Sequence, residues 1–110
     1  CNACRNACPM CYCHDCFIDQ TKPRWFGVTD EMPDVVFFHI MRAFHVAGRC
    51  VDCGACSAAC PMGIDLRLWL KKMDKDCLDL FGYKSGIDLE KVPPLATFDL
   101  GDPQNFMLEP

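Results

Sequence analysis

No stretch of the 110-residue sequence approaches the ~20 consecutive apolar residues that a membrane-spanning helix needs. The most apolar run, residues 35–47, is interrupted by His39, Arg42 and His45. Positive charge is scarce too: eleven Lys and Arg stand against fifteen Asp and Glu, a net charge of −4. With its sparse aromatics, that balance excludes a basic nucleic-acid-binding surface. The seven glycines form no nucleotide-cradling loop, and no Ser, His and Asp arrangement reads as a triad. Independent catalysis is therefore not expected. At 51% hydrophobic and 24% charged residues, the composition is that of one small globular domain.

What the chain has in excess is cysteine, eleven in all. The count is odd, and ten of the eleven fall in two clusters, residues 1–16 and 50–60. That distribution suits metal ligands in a reducing, cytoplasmic compartment better than a disulfide framework. An apolar core of this size gives only marginal stability, so bound metal should supply much of the folding free energy.

The clusters are related by an internal repeat. Cys1-Asn-Ala-Cys4-Arg-Asn-Ala-Cys8-Pro9-Met10 returns 52 residues later as Cys53-Gly-Ala-Cys56-Ser-Ala-Ala-Cys60-Pro61-Met62, identical at seven of ten positions. The second copy is preceded by Cys50, completing Cys-x2-Cys-x2-Cys-x3-Cys-Pro, the bacterial ferredoxin signature. By the same offset the first copy requires a cysteine three residues before Cys1, so the chain is expected to be a piece of a longer polypeptide with that ligand upstream. Three thiolates two residues apart let one short loop wrap three corners of a cubane, and Ala3, Gly54 and Ala55 permit close approach. In two-cluster ferredoxins the fourth cysteine of the run ligates the other cluster. Carried over here, that crossing gives one 4Fe-4S cluster on Cys8, Cys50, Cys53 and Cys56, and another on Cys1, Cys4, Cys60 and the upstream cysteine. Structural zinc is the alternative, although zinc sites usually use two separated cysteine pairs.

Cys11, Cys13 and Cys16 have a different spacing, Cys-x-Cys-x2-Cys. Three readings stay open: one of them replaces the missing corner of the first cluster, they hold zinc or a further cluster with His14, or they are reduced thiols packed near the sites. Cys77, remote from the rest in sequence, reads as a packed thiol.

Two helices are expected. The first runs from Pro33 to Gly48, with Thr29 or Asp30 as N-cap; the second spans residues 64–81, with Asp65 as N-cap and Leu66, Trp69, Leu70, Met73, Cys77 and Leu80 facing the core. His39, Arg42, His45 and Arg49 share one face of the first helix, most simply its solvated side; near anionic clusters the same stripe would raise their potential. Arg67, Lys71, Lys72 and Lys75 make a basic outer face on the second. Trp25 and Phe26 should pin the irregular connection between motifs to the core. After residue 82, prolines and glycines with isolated Leu95, Phe98, Phe106 and Met107 suggest an irregular strap over this domain or a neighbouring subunit. Residues 1–82 then form the cluster-binding domain and 83–110 an extended tail.

The segments Cys4-Arg-Asn-Ala-Cys8-Pro-Met-Cys11-Tyr-Cys13 and Arg42-Ala-Phe-His45, leading into Gly48-Arg-Cys50 through Asp65, resemble the dicluster domain of the electron-transfer subunits of anaerobic sulfite reductase and sulfhydrogenase (beta type). More distantly they are similar to the heterodisulfide reductase small subunit and the C-terminal domain of the succinate dehydrogenase iron-sulfur protein. The resemblance implies a mainly α, α-helical ferredoxin-like fold binding two 4Fe-4S clusters. Its implied role is to relay single electrons between a flavin or other donor module and a catalytic partner in an anaerobic oxidoreductase complex. The rival function is a redox-responsive regulatory or structural metal-binding module.

Overall fold

Four helices organise residues 1–101, the part of the chain that the computed structural model describes: α1 (Ala3–Asn6), α2 (Met32–Val46), α3 (Ala55–Ala58) and α4 (Leu66–Phe81), with 3-10 turns at Phe17–Asp19 and Pro94–Ala96. No strand occurs among the described residues, and the fold is mainly α. The two short helices occupy the same four positions of the sequence repeat. Each is followed by a longer helix, so motif and helix alternate twice. α1 packs on α3, α2 on α4, and α3 on α4.

The first long helix starts differently from the sequence expectation, and the second starts at the expected cap residue. Glu31, in extended conformation, is the N-cap of α2 and makes no side-chain cap. Thr29 acts one step earlier: its Oγ1 accepts the Glu31 N–H at 3.1 Å and donates to Asp34 Oδ2 at 2.6 Å. Asp65 does sit at the N-cap of α4, but the capping oxygen comes from the cysteine motif. Ser57 Oγ accepts the Arg67 N–H at 3.0 Å and donates to Asp65 Oδ1 at 2.6 Å. The α2 chain leaves the helix through Gly48 at φ +70°, and a Cβ there would lie 3.0 Å from Pro94 Cδ and 3.2 Å from Tyr83 Cε1. Conformation and space both require glycine.

Ile18, Phe38, Ala43, Val46, Leu66 and Leu70 form one core cluster with Cys4 and Cys56. The core is thus built around the cysteine motifs. Leu66, Leu70 and Cys77 of α4 are buried as expected, whereas Trp69 and Leu80 are exposed. Phe26 pins the inter-motif connection, its ring stacked on Phe37 with centroids 4.2 Å apart; Trp25 is exposed instead. Beyond residue 82, Tyr83 is buried and residues 93 and 94 lie over Gly48, while Leu95 and Phe98 are exposed. The expected anchors Phe106 and Met107 lie outside the described residues. Among the described residues, no helix is long and apolar enough to cross a membrane.

Candidate metal centre

The repeat places Cys4 and Cys56 at equivalent positions in α1 and α3, where both are buried. At the end of each short helix the backbone turns in the same way: the Cys8 N–H donates to Arg5 O and the Cys60 N–H to Ser57 O, both at 3.2 Å. This turn, followed by proline, carries the fourth cysteine of each copy off its helix. Because α1 packs on α3, each fourth cysteine reaches the other copy. Cys8, Cys50, Cys53 and Cys56 line one narrow cavity, and Cys1, Cys4 and Cys60 line a second.

No three His, Cys, Asp or Glu side chains among the described residues lie close enough to hold a single metal ion. The cysteines instead line two cavities, one narrow and one broad. The first cavity offers four thiols, the soft donor set that iron-sulfur clusters take. Its one carboxylate, Asp52, is held by Arg67 Nε at 3.5 Å and Lys71 Nζ at 3.0 Å. Half of the basic face of α4 therefore anchors the cysteine loop, and Lys72 and Lys75 pair with Asp76 and Asp79. Within that loop Asp52 (φ +56°) and Gly54 (φ +77°) are both left-handed, curling the backbone around the cavity. The donor set fits a thiolate-bound cluster.

Burial raises the pKa of three of these thiols. It pushes up Cys4 and Cys50, and it drives Cys11, which also faces the Cys8 thiol, to about 11. Metal binding to buried thiols must therefore release protons.

The largest departure from the sequence expectation is Arg42. It does not lie on a solvated face: it is 4% exposed, and its Nη2 donates to Cys4 O at 3.1 Å. Burial works against its charge, but Cys4, Cys11, Cys8 and Cys56 around it more than offset this and keep it cationic. Its Nε has no hydrogen-bond partner among the described residues. One guanidinium thus stands among cysteines of both copies. The sequence carried a signal for this, since Arg42 is spaced four residues from both Phe38 and Val46, which are buried on the same side of α2.

Cys11, Cys13 and Cys16 line a third cavity, apart from Cys1, Cys4 and Cys60. His14 is not with them, being fully exposed beside Asp15. Cys77 is buried in α4, and burial raises its pKa.

Comparison with known proteins agrees with this geometry. Residues 1–65 match the model of the family described as 4Fe-4S dicluster domain. Over 99 residues, 90% of this chain, the sequence is 34% identical to the F420-dependent formate dehydrogenase subunit beta of Methanocaldococcus jannaschii, covering 25% of that protein. It is 33% identical over 96 residues, 87% of this chain, to the F420-dependent formate dehydrogenase 1 subunit beta of Methanococcus maripaludis, covering 24% of it. A 25-residue segment, 23% of this chain, is 68% identical to the nitrogen fixation protein FixG of Rhizobium meliloti, of which it covers 5%. The chain spans about a quarter of the length of the two formate dehydrogenase subunits. The chain belongs to the 4Fe-4S dicluster domain family, an iron-sulfur electron-transfer domain with two 4Fe-4S clusters.

Proposed function

We propose that this chain is the electron relay of an anaerobic, cytoplasmic oxidoreductase complex, passing single electrons between a flavin-bearing donor and a catalytic partner subunit. The observation that carries this reading is the division of seven cysteines between two cavities, each drawing on both copies of the repeat. When bound, the two 4Fe-4S clusters supply paired one-electron sites. Cys8, Cys50, Cys53 and Cys56 would hold one, and Cys1, Cys4, Cys60 and a cysteine upstream the other. Residues 1–82 would be the cluster-binding unit and 83–110 its extension toward a neighbour.

The protein's own residues do the rest. Cys4 and Cys56 anchor the clusters in the apolar core, and Ile18, Phe38, Leu66 and Leu70 exclude water from them. Arg42 offsets thiolate charge between them. Bond chemistry on substrate belongs to another part of the complex.

The relatives are named as F420-dependent formate dehydrogenase subunits, which makes formate the substrate to test first. The sulfite reductase and sulfhydrogenase likeness makes sulfite and sulfur compounds the second. The test is electron paramagnetic resonance on the anaerobically isolated complex. Formate should produce the reduced-cluster signals within turnover, and Cys53→Ser should abolish the component of the cluster it holds together with electron delivery to the acceptor. Turnover unimpaired by Cys53→Ser would overturn the relay, leaving the regulatory or structural role.

A further inference from the structure

The cavity lined by Cys11, Cys13 and Cys16 is unaccounted for by two clusters. It encloses about 310 Å³, many times the ~30 Å³ that a water occupies in the liquid. Its lining is unlike that of an incidental gap. Besides three thiols it includes His45, Arg5, Arg42 and Arg49, opposed by one carboxylate, Asp19. Asp19 is already engaged, with both oxygens 2.8 Å from Arg5 Nη1. Arg42 is more than nine-tenths buried at this cavity, and its Nε is unpartnered. Cationic side chains outnumber the carboxylate in this lining, which suits an anionic occupant with several acceptor atoms.

From these observations we propose a third iron-sulfur cluster, held by Cys11, Cys13 and Cys16 with His45 as the fourth donor. A lone zinc ion fits less well. It would leave most of the space empty, and the guanidiniums of Arg42 and Arg49 favour a centre with accepting sulfides over a bare dication. As at the two family sites, its cysteines line one cavity. Spacing explains how His45 takes the place expected of His14. His45 lies one turn beyond Arg42 on α2, so both face the same cavity, whereas His14 points to solvent. The new centre would lie beside the Cys8 cluster, because the Cys11 N–H donates to Cys8 O at 3.2 Å and Met10 and Val46 line both cavities. Exposed Cys13 would mark its outer edge, where electrons enter or leave.

The test uses the anaerobically isolated full-length protein, treated with iodoacetamide without unfolding and mapped by mass spectrometry. Cys13 is exposed, so as a free thiol it would be alkylated at once. As a ligand it should stay unmodified until ferricyanide and a chelator remove the clusters. Equally exposed Cys53 reports separately on the two-cluster reading. In parallel, the Cys13→Ser, Cys16→Ser double variant should lose iron and acid-labile sulfide in equal amounts, about two to four of each per chain, while keeping the reduced-state signals of the other clusters. Prompt alkylation of Cys13 while Cys53 stays protected, unchanged iron in the variant, or loss of zinc instead of iron would each overturn the proposal. If the variant does not fold, the alkylation pattern of the unaltered protein decides alone.

Discussion

At the scale of single residues, the fourth cysteine of each copy separates this fold from two independent metal loops. Cys60 lines the cavity of Cys1 and Cys4, and Cys8 that of Cys50, Cys53 and Cys56. Cys60→Ser should therefore alter the same spectroscopic component as Cys4→Ser and leave the component lost in Cys56→Ser intact. Electron paramagnetic resonance on the three variants checks this; a Cys60→Ser spectrum matching Cys56→Ser would mean that the copies do not cross. Arg42 acts through charge. Replacing it with Gln removes a buried cation beside both cysteine sets, and the reduction potentials should fall by on the order of tens of millivolts. Arg42→Lys should restore most of the change in a redox titration, because it keeps the charge.

The cysteine repeat and the two-cluster family were legible in the sequence because cluster spacing is a covalent constraint, written directly along the chain. Arg42 was misread because an arginine in an amphipathic helix ordinarily faces water. Here the polarity of α2 is partly inverted: Arg42 is buried, while Val36, Ile40 and Phe44 are partly exposed. Periodicity locates a face, but only the partner across from it says whether that face is wet.

At the scale of elements, the places where the repeat diverges are informative. Position five of the motif is Arg5 in one copy and Ser57 in the other. Arg5 ties α1 to the Phe17–Asp19 turn through Asp19, and Ser57 ties α3 to the start of α4. Each motif is thus fastened to the segment its own copy must position. Ser57→Ala removes the oxygen serving the Arg67 N–H and the partner that holds the Asp65 carboxyl below its usual pKa. The loss should be about 1 kcal/mol, typical of a helix cap, read as a lower denaturant midpoint with cluster content unchanged. Sequence analysis placed Asp65 at the cap but missed Ser57, since a cap supplied across a loop leaves no local signature. The exposure of Trp69 and Leu80 has a related origin: among the helices α4 packs chiefly on α2 and α3, so its buried stripe is narrower than its apolar pattern.

At the scale of the whole molecule, the core is small and interleaved with the metal ligands. Cys4 and Cys56 belong to the same buried cluster as Phe38, Val46 and Leu70. Removing metal would leave thiols that burial holds protonated, around cavities with nothing to fill them. Anaerobic chelation after mild oxidation should therefore collapse helical circular dichroism together with the iron-sulfur absorbance, in one transition rather than two. A helical signal that outlasts the clusters would show that the apolar core stands alone.

The most direct test of the two-cluster relay is iron, zinc and acid-labile sulfide analysis with dithionite-reduced electron paramagnetic resonance, on the unaltered protein and on Cys56→Ser. The account predicts interacting signals from two reduced 4Fe-4S clusters in the unaltered protein. In Cys56→Ser it predicts the loss of about four iron, about four sulfide and the interaction. Zinc without sulfide, or a variant that keeps both the full iron content and the coupled signal, would contradict it.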